Sequence, residues 1–296
     1  MLSIRLGSDY NRPAVELSPM QKCVIVNADD FGFSPGVTEG VLRAHREGIV
    51  TSTTVAANMP AAEAALARLA EAPNLGVGVH LNVSQGPPLS ARGRALADAD
   101  GVMNRTAMQV ILSCIRHGRL LRAVEAEFDA QIRWVLDHGL KPTHLDSHRH
   151  AHAFPPIFAR VVGLARRYHI PFVRRHREKL PGRWPAGPAK QRRIRRILNC
   201  FGKADALIAS DLWATQGTWG IEHTGFIDAD WLIRAAGALG PGVTEIMTHP
   251  AAGDDLDAAV TRLLESRRVE LQALCSAAVK DAFAGRQIKL VHYGQL

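Results

Sequence analysis

The sequence has 296 residues, of which 47% are hydrophobic and 22% are charged, and it carries a formal net charge of +8. These values are typical of a globular protein long enough to bury a large core. A membrane-spanning helix and a signal peptide are not expected, because no run of about 18 apolar residues is present and residues 1–22 are mixed and polar.

Positive charge is concentrated in one segment. Eleven of the 36 Lys and Arg residues, but one of the 28 acidic residues, lie between Arg174 and Lys203. The rest of the chain is close to neutral, so nucleic acid is not an expected partner. We interpret this segment as a basic insertion over about residues 175–203. Within it, residues 189–201 are predicted to form a helix whose apolar face carries Ile194, Ile197, Leu198 and Phe201.

Strands and helices alternate along most of the chain. The predicted order is strand 23–27, helix 37–47, strand 52–57, helix 61–72, strand 75–82, helix 121–138, strand 142–147, helix 155–168 and strand 171–174. A short apolar run at 204–209 is followed by helix 228–238, strand 243–247, helix 256–274 and a terminal strand at 288–292. The Pro- and Gly-rich residues 85–103 are predicted to form a loop over the functional site.

This alternation indicates an α/β protein with a parallel sheet. Seven or eight strands favour an irregular, TIM-like (β/α) barrel over a doubly wound sheet, and no GxGxxG motif follows the first strand. Residues 1–22 are interpreted as an N-terminal extension, and residues 23–296 as a single barrel domain. The four cysteines are widely spaced, which is typical of reduced thiols in a cytoplasmic protein.

Polar side chains follow four of the predicted strands. Asp29 and Asp30 come after the first strand, His80 lies near the end of the third, and His249 follows the strand at 243–247. The fourth group is a run of histidines and one carboxylate: His144, Asp146, His148, His150 and His152. Because the active sites of (β/α) barrels lie at the carboxyl ends of the strands, we expect all four groups to share one site.

Each group also has a structural interpretation. Adjacent aspartates can cap a helix, a lone histidine at a strand end is commonly a satisfied rim residue, and a His-rich segment can be a solvated loop. His144, Asp146 and His148 share a face if the backbone is extended, and His144 and His148 are neighbours if it is helical. Four independent structural explanations are less economical than one metal or proton-transfer site.

At these residues the chain resembles the YdjC-like carbohydrate deacetylases, which include chitooligosaccharide and hopanoid-associated deacetylases. The matching stretches are VNADDFGFSPGV at 26–37, EGIVTSTT at 47–54, LGVGVHLN at 75–82, KPTHLDSHRHAH at 141–152 and THPA at 248–251. They occur in order over most of the chain. The resemblance implies an irregular (β/α) barrel and metal-dependent removal of N-acetyl groups from sugars, whether oligosaccharides or lipid-linked glycosides.

The resemblance also implies roles for individual residues. Asp30, His80 and His148 would bind the metal, Asp29 would be the general base, and His249 the general acid. The chain departs from its close relatives in three places. Arg149 stands where a further histidine is common, residues 1–22 are additional, and the basic insertion lies where the family varies most.

One divalent metal ion is the expected cofactor. Mixed histidine and carboxylate ligation suits zinc, nickel or cobalt, and magnesium would need water to fill its shell. Magnesium or zinc is expected first, with nickel or cobalt as alternatives. Asp146 would orient His144 or a ligand histidine, and Arg149, His150 and His152 would contact the substrate or support the loop.

Two other functions are compatible with the sequence. A phosphoesterase on the same barrel would need a cationic clamp, for which Arg149, Arg174 and Arg175 are candidates. A non-catalytic protein could instead bind polyanions or an anionic membrane through the basic insertion, whose apolar stripe could equally pack on the barrel. Peripheral membrane association is therefore one expectation. A homodimer is another.

Overall fold

A computed structural model describes residues 20–181, 184–258 and 261–296. The predicted N-terminal extension lies outside these ranges except for residues 20–22. Among the helices described, none is both long and apolar enough to cross a membrane.

Parallel strands form the centre of the molecule. The strands in the described ranges are β1 Lys22–Phe31, β2 Ser52–Val55, β3 Gly76–Leu81, β4 Gln85–Gly86, β5 Met103–Asn104, β6 His144–Ser147, β7 Phe172–Val173, β8 Thr218–Trp219, β9 Gly242–Thr248 and β10 Lys289–Leu290. Eight of them form a parallel sheet in the order β7-β6-β3-β2-β1-β9-β8, with β10 beside β1. The short strands β4 and β5 pair separately in an antiparallel ladder.

The sheet curls until its edges approach one another. Arg174 directly follows β7, yet its guanidinium lies 2.7 Å from Asp29 of β1 and 2.7 Å from Glu245 of β9. In a flat sheet, with strands about 4.8 Å apart, β1 and β9 would lie roughly 19 and 24 Å from β7. An arginine side chain cannot span those distances, so the chain folds as the predicted irregular (β/α) barrel.

Helices cover the outside of the curled sheet. Within the described residues they are α1 Pro35–Arg46, α2 Ala62–Ala67, α3 Ala107–Arg116, α4 Gly118–Asp137, α5 Pro155–Arg167, α6 Ala189–Ile208, α7 Ala229–Ala238, α8 Glu265–Cys275 and α9 Ala277–Ala284. Each long helix buries one apolar face. On α4, for example, Val124, Phe128, Ile132 and Val135 repeat at helical spacing and are fully buried in the main core.

Several elements differ from the predictions. The run at 204–209 belongs to the last turn of α6, because its apolar residues continue an amphipathic helix. The helix predicted over 256–274 begins only at Glu265, and the preceding Asp255 accepts hydrogen bonds from the start of α1. The strand β8 and the helices α3 and α9 were not predicted. β8 is short and flanked by Gly217 and Gly220, so no apolar run marks it in the sequence.

The basic insertion is fastened to the barrel. Leu198 is buried against Ala153, Ile221 and Met247, and Ile194 and Phe201 of that helix face pack beside it. Before the helix, the Glu178 carboxylate accepts three backbone N–H groups from residues 220–222 at 2.7–3.1 Å. The apolar face of this helix, which could have faced a membrane, therefore packs on the barrel.

Candidate active site

Asp29, Asp30, His80, His148 and His249 meet at the carboxyl ends of the strands. The two aspartates lie in β1 and His80 in β3, while His148 and His249 directly follow β6 and β9. All five side chains are buried. The structure thus brings together the four groups of polar residues that the sequence placed at strand ends.

A backbone irregularity directs both aspartates into the site. Successive residues of a regular strand point to opposite faces. The pairing of β1 with β2 shifts between Ala28 and Phe31, and Asp30 has φ 72°, in the left-handed region that non-glycine residues seldom adopt. Asp29 and Asp30 can therefore both contact the central histidines.

Asp30, His80 and His148 form a group suited to a metal ion. Asp30 Oδ1 lies 3.1 Å from His80 Nε2 and 3.0 Å from His148 Nδ1, and one ligand atom from each residue lies within 4.8 Å of the others. Two donor atoms at right angles around a shared ion, each about 2.1 Å from it, are about 3 Å apart. The donor types and spacing therefore fit a divalent cation.

Buried partners hold these candidate ligands. His80 Nδ1 lies 2.8 Å from Asp146 Oδ1, and the Thr54 hydroxyl donates to Asp146 Oδ2 at 3.1 Å. A carboxylate that accepts one imidazole N–H fixes the ring and leaves its other nitrogen available for a metal. Asp30 Oδ2 is held at 2.5 Å by Arg267, which is also buried. Burial alone would raise the pKa of Asp30, but Arg267 and His148 together hold it well below its usual range.

Asp29 is held by a guanidinium. Arg174 Nη1 and Nη2 donate to the two oxygens of Asp29 at 2.7 Å each, and Asn27 donates to Oδ1 at 2.8 Å. Burial opposes ionisation of this carboxyl group, but the charge and hydrogen bonds of Arg174 keep its pKa well below its usual range. Asp29 is therefore an ionised carboxylate in a fixed orientation.

Arg174 organises three buried carboxylates at once. Besides Asp29, it lies 2.8 Å from Asp146 and 2.7 Å from Glu245, and it is itself fully buried. Thr218 donates a further hydrogen bond of 2.8 Å to Glu245. The sequence pointed to Arg174 only as a candidate phosphate clamp. Its ion pairs link strands β1, β6 and β9 instead.

His249 faces an acidic neighbour that was not predicted. Its backbone N–H donates to Glu270 Oε2 at 2.6 Å, and its Nδ1 lies 4.0 Å from the same oxygen. Burial lowers the pKa of His249 to about 4 and raises the pKa of Glu270 to about 7. Among the described residues, His249 Nδ1 and Glu270 Oε1 are both buried without a hydrogen-bond partner. At neutral pH the imidazole is neutral, and the carboxyl group of Glu270 holds a proton for much of the time.

The His-rich segment turns sharply after His148. Arg149 and His150 have φ 54° and 57°, a strained conformation that occurs frequently at functional sites. Arg149 is exposed and donates to the Arg105 carbonyl at 3.0 Å. His150 Nδ1 lies 3.1 Å from the Nε2 of His176, another buried histidine that was not predicted.

His144 and His152 are enclosed by the protein. His144 Nε2 lies 3.2 Å from Asn27 Oδ1, and its ring stacks on Tyr293 with centroids 4.0 Å apart. His152 uses both ring nitrogens, on the Ser147 hydroxyl and on the Arg174 carbonyl at 2.9 Å. Neither side chain is exposed to solvent.

The family model described as YdjC-like protein matches residues 23–285. The chain belongs to this family. The match covers every strand-end residue of the candidate site.

Two relatives of this YdjC-like protein are carbohydrate deacetylases. The one from Brevibacillus brevis is 34% identical over 92% of this chain and 99% of its own length. The one from Geobacillus stearothermophilus is 34% identical over 93% of this chain and 98% of its own. A crystal structure of an Enterococcus faecalis V583 protein, provisionally assigned to cellobiose-phosphate cleavage, aligns with a TM-score of 0.73 and 27% identity, covering 92% of this chain and 98% of that one.

The cationic clamp of the phosphoesterase alternative is not formed. Arg174 is saturated by carboxylates, and Arg175 donates to the backbone carbonyls of Ala209 and Leu212. Arg149 is engaged by the carbonyl of Arg105. With Arg174 bound by carboxylates and Arg175 by backbone carbonyls, the geometry does not favour phosphate binding at the metal group.

Proposed function

We propose that this YdjC-like protein is a metal-dependent carbohydrate N-deacetylase, which hydrolyses the amide of an N-acetylated amino sugar and releases acetate. The observation that carries the proposal is the Asp30, His80 and His148 group beside the ionised Asp29. The carbohydrate deacetylases among its relatives, matched over nearly their whole length, support the substrate class.

Asp30, His80 and His148 would hold the divalent ion, with magnesium or zinc foremost and nickel or cobalt as alternatives. When bound, such an ion lowers the pKa of a water molecule and polarises the amide carbonyl. Asp146 and Arg267 keep the ligand atoms in place, because each binds the side of a ligand that faces away from the group.

Asp29 would act as the general base. Arg174 holds both of its oxygens, so the carboxylate stays ionised and fixed while it takes the proton of the attacking water. A low pKa makes Asp29 a weak base on its own. It therefore needs a water molecule whose pKa has already been lowered.

His249 and Glu270 would supply the proton to the departing amine. His249 alone is a poor acid, because burial keeps its imidazole neutral near pH 7. Glu270 carries the proton that His249 lacks, and its oxygen lies 4.0 Å from the imidazole. The pair stores one proton, which passes through His249 to the nitrogen as the C–N bond breaks.

The remaining predicted residues would divide into two groups. His144, Asp146 and His152 are buried with protein partners and would support the site. Arg149 and His150 are the more exposed members of the segment, and they would contact substrate hydroxyl groups.

Removing one imidazole from the metal group should strongly weaken metal binding. We expect His148→Ala to weaken the affinity for zinc by at least about a hundredfold, because a lost ligand matters more than a lost supporting hydrogen bond. Isothermal titration with the chelator-treated protein measures the affinity. The matched control is His150→Ala, two residues further along, which should bind zinc nearly as tightly as the wild type. Equal losses in both variants would contradict the ligand assignment.

The pH profile should report the proton on Glu270. Its pKa of about 7 means that the protonated fraction is high below pH 7 and is lost as the pH rises. We therefore expect kcat to fall about tenfold per pH unit well above pH 7. Glu270→Gln cannot titrate, so its kcat should be low and should lack this descending limb. A limb unchanged in Glu270→Gln would show that another group titrates.

The activity itself is tested by acetate release. N-acetylglucosamine, its disaccharide and lipid-linked N-acetylated sugars are incubated with the protein and each candidate metal in turn. Metal-dependent acetate release from any of these sugars supports the proposal. Phosphoester hydrolysis without acetate release would favour the alternative hydrolase, and no turnover with any metal would favour a binding protein.

A further inference from the structure

Helix α3 exposes an apolar stripe on the surface of the barrel. Met108, Leu112 and Ile115 are 48%, 41% and 61% exposed, and their spacing places them on one side of the helix. The opposite side is fixed to the core by the buried residues Val110, Ile111 and Cys114. The helix is thus firmly attached, and the apolar surface that remains is contiguous.

The sequence of α3 and of the residues beside it is basic, with Asp98, Asp100 and Glu125 just outside this stretch. From Gly101 to Val124 the sequence has four arginines and no acidic residue. These are Arg105, Arg116, Arg119 and Arg122, and within the described part of the chain none of them forms an ion pair with a carboxylate. Elsewhere among the described residues, some exposed arginines are paired, as Arg166 is with Asp211, and others, such as Arg193 and Arg196, have no ion pair. The positive charge around α3 is therefore uncompensated.

The stripe and the arginines form one surface. Arg105 and Arg116 line a cleft of about 220 Å³ together with Leu112, Gln109 and Ser113. The cleft adjoins the mouth of the candidate active site, because α3 packs against the segment 148–153 and Arg149 donates to the Arg105 carbonyl. A cleft with cationic walls beside an apolar ridge suits an anionic headgroup attached to acyl chains.

We propose that the exposed face of α3, with Arg105, Arg116 and Arg119, docks the protein on an anionic lipid bilayer. Charge complementarity selects this occupant. A second copy placed across a twofold axis would bring the arginines of one α3 against those of the other, which is repulsive. The apolar stripe of α6 is covered by the barrel, so the membrane surface lies on α3 and not on the basic insertion.

This inference does not rest on the deacetylase activity. Bilayer association depends on the surface charge and the exposed apolar residues of α3, and neither belongs to the metal group. If both proposals hold, docking places the mouth of the site next to the membrane surface, which favours lipid-linked sugars over soluble ones.

Vesicle co-sedimentation tests the proposal with the full chain. The vesicles are phosphatidylcholine alone or an equal mixture of phosphatidylcholine and phosphatidylglycerol. We expect binding to the mixed vesicles only, weakened by salt because surface charges are screened. The double variant Arg116→Glu/Arg119→Glu should bind at least about tenfold more weakly, since each juxtamembrane arginine contributes about 1 kcal/mol.

Two further variants make the test specific. Arg193→Glu/Arg196→Glu on α6 changes the net charge equally, at exposed positions, and should retain binding. Leu112→Ser/Ile115→Ser keeps every charge and should still lose most of the binding. Failure of the wild type to bind mixed vesicles, or equal losses in the α3 and α6 charge variants, would overturn the proposal. Full binding by the serine variant would show a general polyanion patch and would also overturn it. Acetate release from a soluble sugar should be unchanged by Arg116→Glu/Arg119→Glu, which separates docking from catalysis.

Discussion

Replacing Asp29 by Asn should lower the rate of acetate release by about 10²- to 10⁴-fold, the range that a lost general base produces. Asp29 also lies close to His80 and Asp146, but Arg174 already binds both of its oxygens. Metal affinity should therefore stay close to that of the wild type. The reason for the loss is chemical. An amide at this position has no lone pair basic enough to take a proton from water.

A matched control separates this loss from a disturbance of the buried ion pairs. Both oxygens of Asp29 accept hydrogen bonds from Arg174, so the Asn variant also places an N–H group against a donor. Glu245→Gln removes one negative charge from the same guanidinium without removing the proposed base. We expect Glu245→Gln to lose much less activity. If the two variants turn over equally slowly with metal bound, Asp29 is important only as a partner of Arg174.

The sequence predicted the part of the site that depends on local pattern. Apolar strands followed by Asp29, His80 or His249 can be recognised along the chain, and the parallel topology of a barrel then gathers their ends. The position of β8 was not predicted, because Thr218 and Trp219 lie between two glycines, whereas the equally short β7 and β10 lie in longer, mostly apolar runs. The curl of the sheet is set by contacts between residues that are distant in sequence.

Asp146 was predicted to orient a histidine and lies 2.8 Å from His80, but the supporting arginines were missed for the same reason. Arg174 and Asp29 are 145 positions apart, and Arg267 and Asp30 are 237 apart. Arg174 ends a predicted strand, as the site residues do, which was a usable signal. Arg267 lies within a helix among other charged residues and resembles a surface arginine, yet it is buried against Asp30. Arg267 is buried because α8 packs against α1 beside the site. The sequence of α8 alone does not distinguish a buried arginine from an exposed one.

Arg174→Leu should be the most destabilising single substitution proposed for this protein. Arg174 is fully buried and lies within 2.8 Å of Asp29, Asp146 and Glu245. Removing it takes the guanidinium from three buried carboxylates, and of these Asp146 keeps His80 as a partner at 2.8 Å. Breaking a buried ion pair at one partner typically costs about 3–5 kcal/mol, so we expect a loss of at least that size in the free energy of unfolding, measured in urea.

The control for this prediction is Arg166→Leu. Arg166 also binds a carboxylate with two nitrogens, but its side chain is half exposed. Exposed ion pairs contribute about 0–1 kcal/mol, so this variant should unfold close to the wild type. Comparable losses in both variants would mean that the leucine itself, rather than the uncompensated carboxylates, causes the destabilisation.

The pH dependence of Arg174→Leu gives a sharper test. In the wild type, Arg174 holds the pKa of Asp29 below its usual range, so this ion pair stabilises the fold above the unfolded-state pKa of about 3.9 and is lost as the pH falls. In the variant, burial without a counter-charge favours the protonated carboxyl groups, which restores the buried cluster in acid. The difference in unfolding free energy between the two proteins should therefore be largest at neutral pH and shrink towards pH 4. A difference that stays constant with pH would show that Arg174 stabilises the barrel by packing alone, and that charge compensation is not what joins β1, β6 and β9 at the site.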